Sequence, residues 1–345
     1  MDKTRRSLLI DAEIHTDRLE GIPRLARQAE EFGVNGIWFD ETKHDPFLQL
    51  ALATSTTRKV SLGSAIALAF VRSPTSLAYS AWDIQSLSKA RFVLGLGSQV
   101  KGHIERRFGS RWESPGPKMR EVISVLRAVW KNWQYGTRLD FHGRFYDVDL
   151  MTPFFSPPKM LDQNASAIPI YLAGVNRGMC NLAGEVADGI HVHPLHTARY
   201  LKEVMDPALI SGLEKGGRIR DDFRVVCSVF AAVGSSEAEI RQRREDCRES
   251  IAFYASTRTY RRVLELHNWG DVCDRLHELS TKGEWRRMAT EVTNDILDEF
   301  VVEGSWNGIG SSLQKKYAGL VDRVRLYLPF DGGKKWRSLV QGFRA

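Results

Sequence analysis

Residues 168–194, IPIYLAGVNRGMCNLAGEVADGIHVHP, constrain the fold more than any other stretch: they read as strand, tight turn, helix and strand. The apolar run 168–172 has the character of a strand buried on both faces of a parallel sheet. Asn176 stands where a helix cap belongs, and Met179, Leu182, Ala183, Val186 and Ala187 then recur with helical spacing. Ala187, Asp188 and Gly189 end that helix. The next strand carries His191 and His193 to one face at its C-terminal end. A parallel β-α-β unit is thus written into 27 residues. Its turn, 173–176, leads into a helix N-terminus, where free N–H groups and the helix dipole favour an anion.

The same alternation runs through the chain. Strands are expected over 6–13, 35–41, 60–68, 91–97, 168–172, after Gly189, over 223–233 and over 324–328. Helices are expected over 18–32, 46–54, 74–88, 117–133, 197–215, from Ser235 onward and over 334–343. Residues 143–158 read as a crossing loop, and about 260–300 as a helix-rich excursion. Eight strands alternating with helices favour an α/β fold of the closed (β/α)8 TIM-barrel type, in a single domain over 1–345. No GxGxxG opens a helix after the first strand, which argues against a dinucleotide-binding sheet.

Composition excludes several classes. A chain of 345 residues with 43% hydrophobic and 26% charged residues is of the ordinary globular kind. Its longest apolar run, 65–71, is too short to span a bilayer, and no signal peptide is legible. Cys180, Cys227, Cys247 and Cys273 lack CxxC spacing and read as reduced thiols of a cytoplasmic protein. The net charge of +7 comes from scattered basic pairs interleaved with acids, so nucleic acid is not expected as a partner.

In such a barrel the chemistry lies at the C-terminal ends of the strands. Those ends offer Glu41 and His44, Ser64 to Leu68, Ser98 to His103, Gly174 to Met179, and His191 with His193. This set is rich in donors and has neither a GxSxG elbow, an HExxH pair nor a P-loop lysine, so the barrel is expected to lend its geometry to a cofactor. Each feature has a plainer reading. Gly174 also suits a tight turn, the histidines also suit packing, and Glu41 also suits an exposed loop. No metal site is expected, because no carboxylate or fourth ligand is placed beside His191, His193 and His196.

Five segments together resemble the bacterial-luciferase-like oxidoreductases, and within them the subgroup dependent on coenzyme F420, a 5-deazaflavin. They are GIWFDETKHDPF (36–47), LGSAI (62–66), RFVLGLGSQVKGH (91–103), LAGVNRGM (172–179) and GEVADG (184–189). The resemblance spans about residues 19–328. It implies a (β/α)8 barrel with an excursion before the last strand, here about 258–319. It also implies a bulge in the third strand, often with a non-proline cis peptide, which places Ser64, Ala65 and Ile66 behind the cofactor ring. Gly97, Ser98 and Gln99 would line its side. Gly174, Val175 and Asn176, with Met179 close by, would hold its phosphate. The acid after the second strand corresponds to Glu41. Relatives often have histidine directly after that acid, whereas here Thr42 follows and His44 comes two positions later.

The function this implies is hydride transfer between the deazaflavin and an organic substrate, with the aromatics of 143–158 and 258–319 suggesting an apolar, moderately large one. His44 and Glu41 are the expected proton carriers, with His103 and His193 as substitutes. Two alternatives stand beside it: an FMN-dependent monooxygenase using O2, and a non-catalytic cofactor-binding or partner subunit. A homodimer is expected, with Leu77, Ala78, Ala81 and Trp82 serving either a dimer face or the core.

Overall fold

The computed structural model describes residues 7–344, except for the side chains of Gln163 and Asn164. Eight parallel strands close into a barrel: β1 Leu9–Glu13, β2 Gly36–Phe39, β3 Ser61–Ser64, β4 Phe92–Gly97, β5 Ile170–Gly174, β6 Gly189–Val192, β7 Arg224–Val229 and β8 Arg323–Leu326. Closure is made where Asp11 of β1 stands opposite Arg325 of β8, and where Gly63 of β3 stands opposite Val93 of β4. The (β/α)8 fold class expected from the alternation is therefore the one observed. Arg6, expected to open the first strand, lies outside the described residues.

The helices that follow the strands are α1 Ile22–Phe32, α2 Pro46–Thr56, α3 Pro74–Ser88, α4 Pro115–Tyr135, α5 Arg177–Val186, α6 Asp206–Lys215, α7 Glu237–Ala255 and α8 Lys334–Arg344. Their starts follow from local chemistry. Asp45 accepts from the Phe47 and Leu48 amides at 2.8 and 3.3 Å, and Ser73 caps α3 through Ser76 N at 3.1 Å, each with proline at the next position. Gly33 ends α1 in the left-handed region at φ 90°.

Helix and outer strand faces share one apolar core, in which Leu77, Ala78, Ala81 and Trp82 are fully covered by the chain itself. These four are core residues rather than an exposed dimer face. The barrel interior is separate. Trp38, Ala65, Tyr171 and Val226 pack there with Val93. The bulk of Trp38 requires an unbranched neighbour: a Cβ on Gly63 would stand 2.3 Å from its ring. Under that ring, Asp11 takes two hydrogen bonds from Arg323 at 2.7 and 2.8 Å and one from Trp38 Nε1 at 2.8 Å.

The third strand carries the bulge that the resemblance implies, and two other elements differ from those expected. The third strand breaks after Ser64, where the Ala65–Ile66 peptide is cis, and resumes at Ala67–Leu68. The seventh breaks at Phe230: β7 stays in the barrel, while Ala231–Gly234 turns to pair with Val302–Ser305 inside the excursion. The helix expected over 197–215 contains a π segment, Leu201–Met205. The four cysteines are free and buried, as reduced thiols would be. Among the described residues no helix is long and apolar enough to cross a membrane.

Candidate active site

Every second residue of a barrel strand points inward, so Asp11 of β1 is followed on the same face by Glu13, at the strand's C-terminal end. Glu13 stands 3.3 Å from Arg325 of β8. Asp40 directly follows β2, and its carboxylate lies 3.4 Å from His15 Nδ1. Ligand-type atoms of Glu13, His15 and Asp40 all fall within 4.8 Å of one another. Two carboxylates, an imidazole and a guanidinium thus gather at the mouth of the barrel.

Their surroundings drive the two acids apart. Burial pushes the Glu13 carboxyl above its ordinary range; Arg325 opposes this and the Asp40 charge adds to it. For Asp40, burial acts in the same direction, but the hydrogen bond and charge of His15 outweigh it and leave the carboxyl below its ordinary range. His15 is raised in return, mainly by that hydrogen bond and against the cost of burial. The result is one carboxyl shifted toward its protonated form beside a His–Asp pair shifted toward its charged form. Next to this cluster, Arg325 Nε and Ser228 Oγ are buried without hydrogen-bond partners, while Arg325 Nη1 faces Glu13, and Ser228 and Arg325 are register neighbours on β7 and β8. Such unfilled donors suit a polar group brought by a ligand.

His193 reaches the same end of the barrel. Its ring is stacked on Tyr260 at 4.4 Å and meets Tyr254 edge-on at 4.6 Å. Nδ1 accepts from the Leu195 amide at 3.1 Å, which assigns the proton to Nε2. Burial first, then His196 and Arg325, push its pKa down to about 3, so the ring is neutral at working pH. His191 points into the deeper layer against Trp38 and Tyr171, with neither nitrogen partnered. His196 is tied to the His193 carbonyl at 2.8 Å and to Tyr317 Oη at 3.2 Å. The three histidines of 191–196 therefore occupy three separate environments.

The other expected proton carriers are dispersed. Glu41 accepts from the Leu68 amide and from Arg72 Nη1, both at 2.7 Å, and Arg72 also holds Asp45 at 2.7 Å. These bonds fasten the loop after β2 to the resumed third strand. His44 Nε2 is buried and unpartnered, and His44 shares the field of Asp17 with His15. His103 is exposed on the short helix Lys101–Arg106. The inward position two residues beyond Asp11 was the signal that would have found Glu13; Asp40 stands beside Glu41 in the polar run after the second strand.

The expected cofactor residues surround the same mouth. Gly97 lies against Ile66, because a Cβ there would stand 2.5 Å from Ile66 Cδ1. Ser98 Oγ and Gln99 Oε1 engage the Gln99 carbonyl and the Val100 amide, and Gln99 has φ 59°. Ser64 Oγ bridges to the Gly95 carbonyl and amide at 2.8 and 3.0 Å, a bond inside the barrel wall. Gly174 packs on Met179, and Val175 is buried. Asn176 occupies the N-cap of α5 but its side chain caps nothing, so the first-turn amides keep their donors. Space beside Gly178 is open, and Arg177 is exposed there without an ion-pair partner among the described residues. These features fit an anionic group at the start of α5.

The luciferase-like monooxygenase family profile matches residues 4–323. The chain belongs to the luciferase-like monooxygenase family. An uncharacterized protein of Mycobacterium tuberculosis is 42% identical over 320 residues, covering 92% of this chain and 93% of that one. The 5,10-methylenetetrahydromethanopterin reductase of Archaeoglobus fulgidus is 26% identical over 314 residues, 89% of each chain. The coenzyme F420-dependent tetrahydromethanopterin reductase of Methanopyrus kandleri has the same fold, with a TM-score of 0.78, 20% identity and 97% of each chain covered. In this luciferase-like chain a long excursion precedes the last barrel strand.

Proposed function

We propose that this protein is a coenzyme F420-dependent oxidoreductase that passes a hydride between the deazaflavin and an electron-poor carbon of a small organic substrate. The observation that carries the reading is the split acid cluster, Glu13 raised and Asp40 lowered, at the same mouth as the uncapped start of α5. Two of the similar proteins are named as methanopterin reductases, one of them as F420-dependent, which favours the deazaflavin.

The residues present fit such a group. The α5 amides and Arg177 would hold its phosphate, and the Ala65–Ile66 bulge with Gly97 would back its ring. When bound, the deazaflavin supplies the hydride or accepts it. Glu13 carries the accompanying proton at its carboxyl, and Arg325 steadies the anion left when that proton goes. The His15–Asp40 pair, each partner favouring the charged form of the other, sets the field around Glu13. His193 donates from Nε2 and stays neutral, while Tyr254 and Tyr260 wall the site and exclude water. Glu41 fixes the neighbouring loop through Arg72.

The family's name favours a second reading, an FMN-dependent monooxygenase. Fluorescence titration with F420 and, separately, FMN distinguishes them. The expected result is F420 bound at least about tenfold more tightly. Preference for FMN together with oxygen uptake on reduction would overturn the proposal. Retention of F420 without turnover on enones, imines or carbonyl compounds would point to a binding subunit.

A further inference from the structure

Beyond that reading, we infer that the opposite end of the barrel holds a second ligand site, for an aromatic phosphate of about mononucleotide size. A cleft of about 710 Å³ opens there, among the C-terminal half of α4, the run into β5 and the segments before β6 and β7. That volume lies within the usual range for small-molecule pockets, on a face where barrels of this class ordinarily carry stability alone.

The lining selects charge. Arg127, Lys131, Arg218 and Arg224 face two carboxylates, those of Asp188 and Asp222. Asp188 is already saturated: it accepts from the Ile170 amide at 2.9 Å and pairs with Arg218 at 2.7 Å and Arg127 at 3.2 Å. Arg224 donates only to the carbonyls of Asp221 and Phe223, and Lys131 has no ion pair or hydrogen bond among the described residues. The cleft therefore retains unneutralised positive charge, which attracts an anion.

A second observation points to a bound group. Tyr171 is 7% exposed, its ring packed in the barrel interior on Trp38 and His191, and it is the residue through which the cleft meets that interior. Its hydroxyl has no protein partner among the described residues. Burial, before any neighbouring charge, pushes the phenol up to about 12, so it remains a protonated donor. The hydroxyl opens onto the cleft, where a ligand oxygen can accept its hydrogen bond. Trp130 and the half-exposed Tyr135 give the cleft an apolar wall for a flat ring.

Isothermal titration with AMP, 4-nitrophenyl phosphate and inorganic phosphate tests this. Saturable binding of AMP or 4-nitrophenyl phosphate is expected, weakened about tenfold by Lys131→Glu and several-fold by Tyr171→Phe, with binding at the other mouth unchanged in both variants. Titration repeated with saturating F420 should give the same affinity. The inference is overturned if neither aromatic phosphate binds below about 5 mM. It is equally overturned if both variants bind like the parent, if F420 displaces the probe, or if inorganic phosphate binds as tightly as the aromatic ones.

Discussion

Glu13 and Asp40 share one cluster, yet they shift apart: burial dominates at Glu13, whereas at Asp40 the hydrogen bonds of His15 and Thr42 and the charge of His15 outweigh it. For substrate reduction the working form of Glu13 is the protonated one. Its folded pKa lies above the ordinary value of 4.5, so that form persists to higher pH than in an ordinary carboxyl and is lost as pH rises through the raised pKa. Reduction should therefore decline on the alkaline side, and oxidation of the same substrate pair should decline on the acid side. Glu13→Gln keeps the shape and cannot release a proton. It should lower kcat by about 100-fold or more, remove the alkaline limb, and leave F420 affinity within a few-fold. A variant that retains the limb would pass the proton role to another group, with His44 the nearest in character.

At the scale of elements, the barrel closes where β1 meets β8, and the Asp11–Arg323 pair lies across that seam with Asp11 fully buried. Removing one member of a buried pair leaves an uncompensated charge, which costs about 3–5 kcal/mol. Asp11→Ala should lower the unfolding free energy by that amount, read as a lower urea midpoint at an unchanged slope; a loss within about 1 kcal/mol would mean that water reaches Arg323. Legibility in the sequence follows the same division between local and long-range causes. α3 occupies the expected 74–88, because its cap Ser73, its Pro74 and its apolar spacing are all local. The break at Phe230 was not legible. An unbroken apolar run looks the same whether it pairs with one strand or with two, and Val302–Ser305 is too short to announce itself. The start of α5 was legible from its apolar spacing alone, since Asn176 holds the cap position without capping. Glu13, His15 and Asp40 were not, since their meeting depends on the pairing of β1 with β2.

Over the whole molecule, the net charge of +7 acts at longer range than any of these contacts. An anionic cofactor approaching such a surface is attracted before it touches the mouth, and salt screens that attraction as the Debye length falls from about 10 Å at 0.1 M to about 3 Å at 1 M. Local contacts at the α5 start respond less, because the amides are fixed dipoles at short distance. F420 affinity should accordingly fall by about tenfold over that range of salt, chiefly through a slower association rate in stopped-flow fluorescence, while dissociation changes little. Arg177→Glu should behave differently, speeding dissociation at every salt concentration because it removes a contact made in the complex. Equal salt sensitivity of both rates would instead mean that the phosphate remains exposed when bound, which would place it outside the turn at Gly174–Asn176.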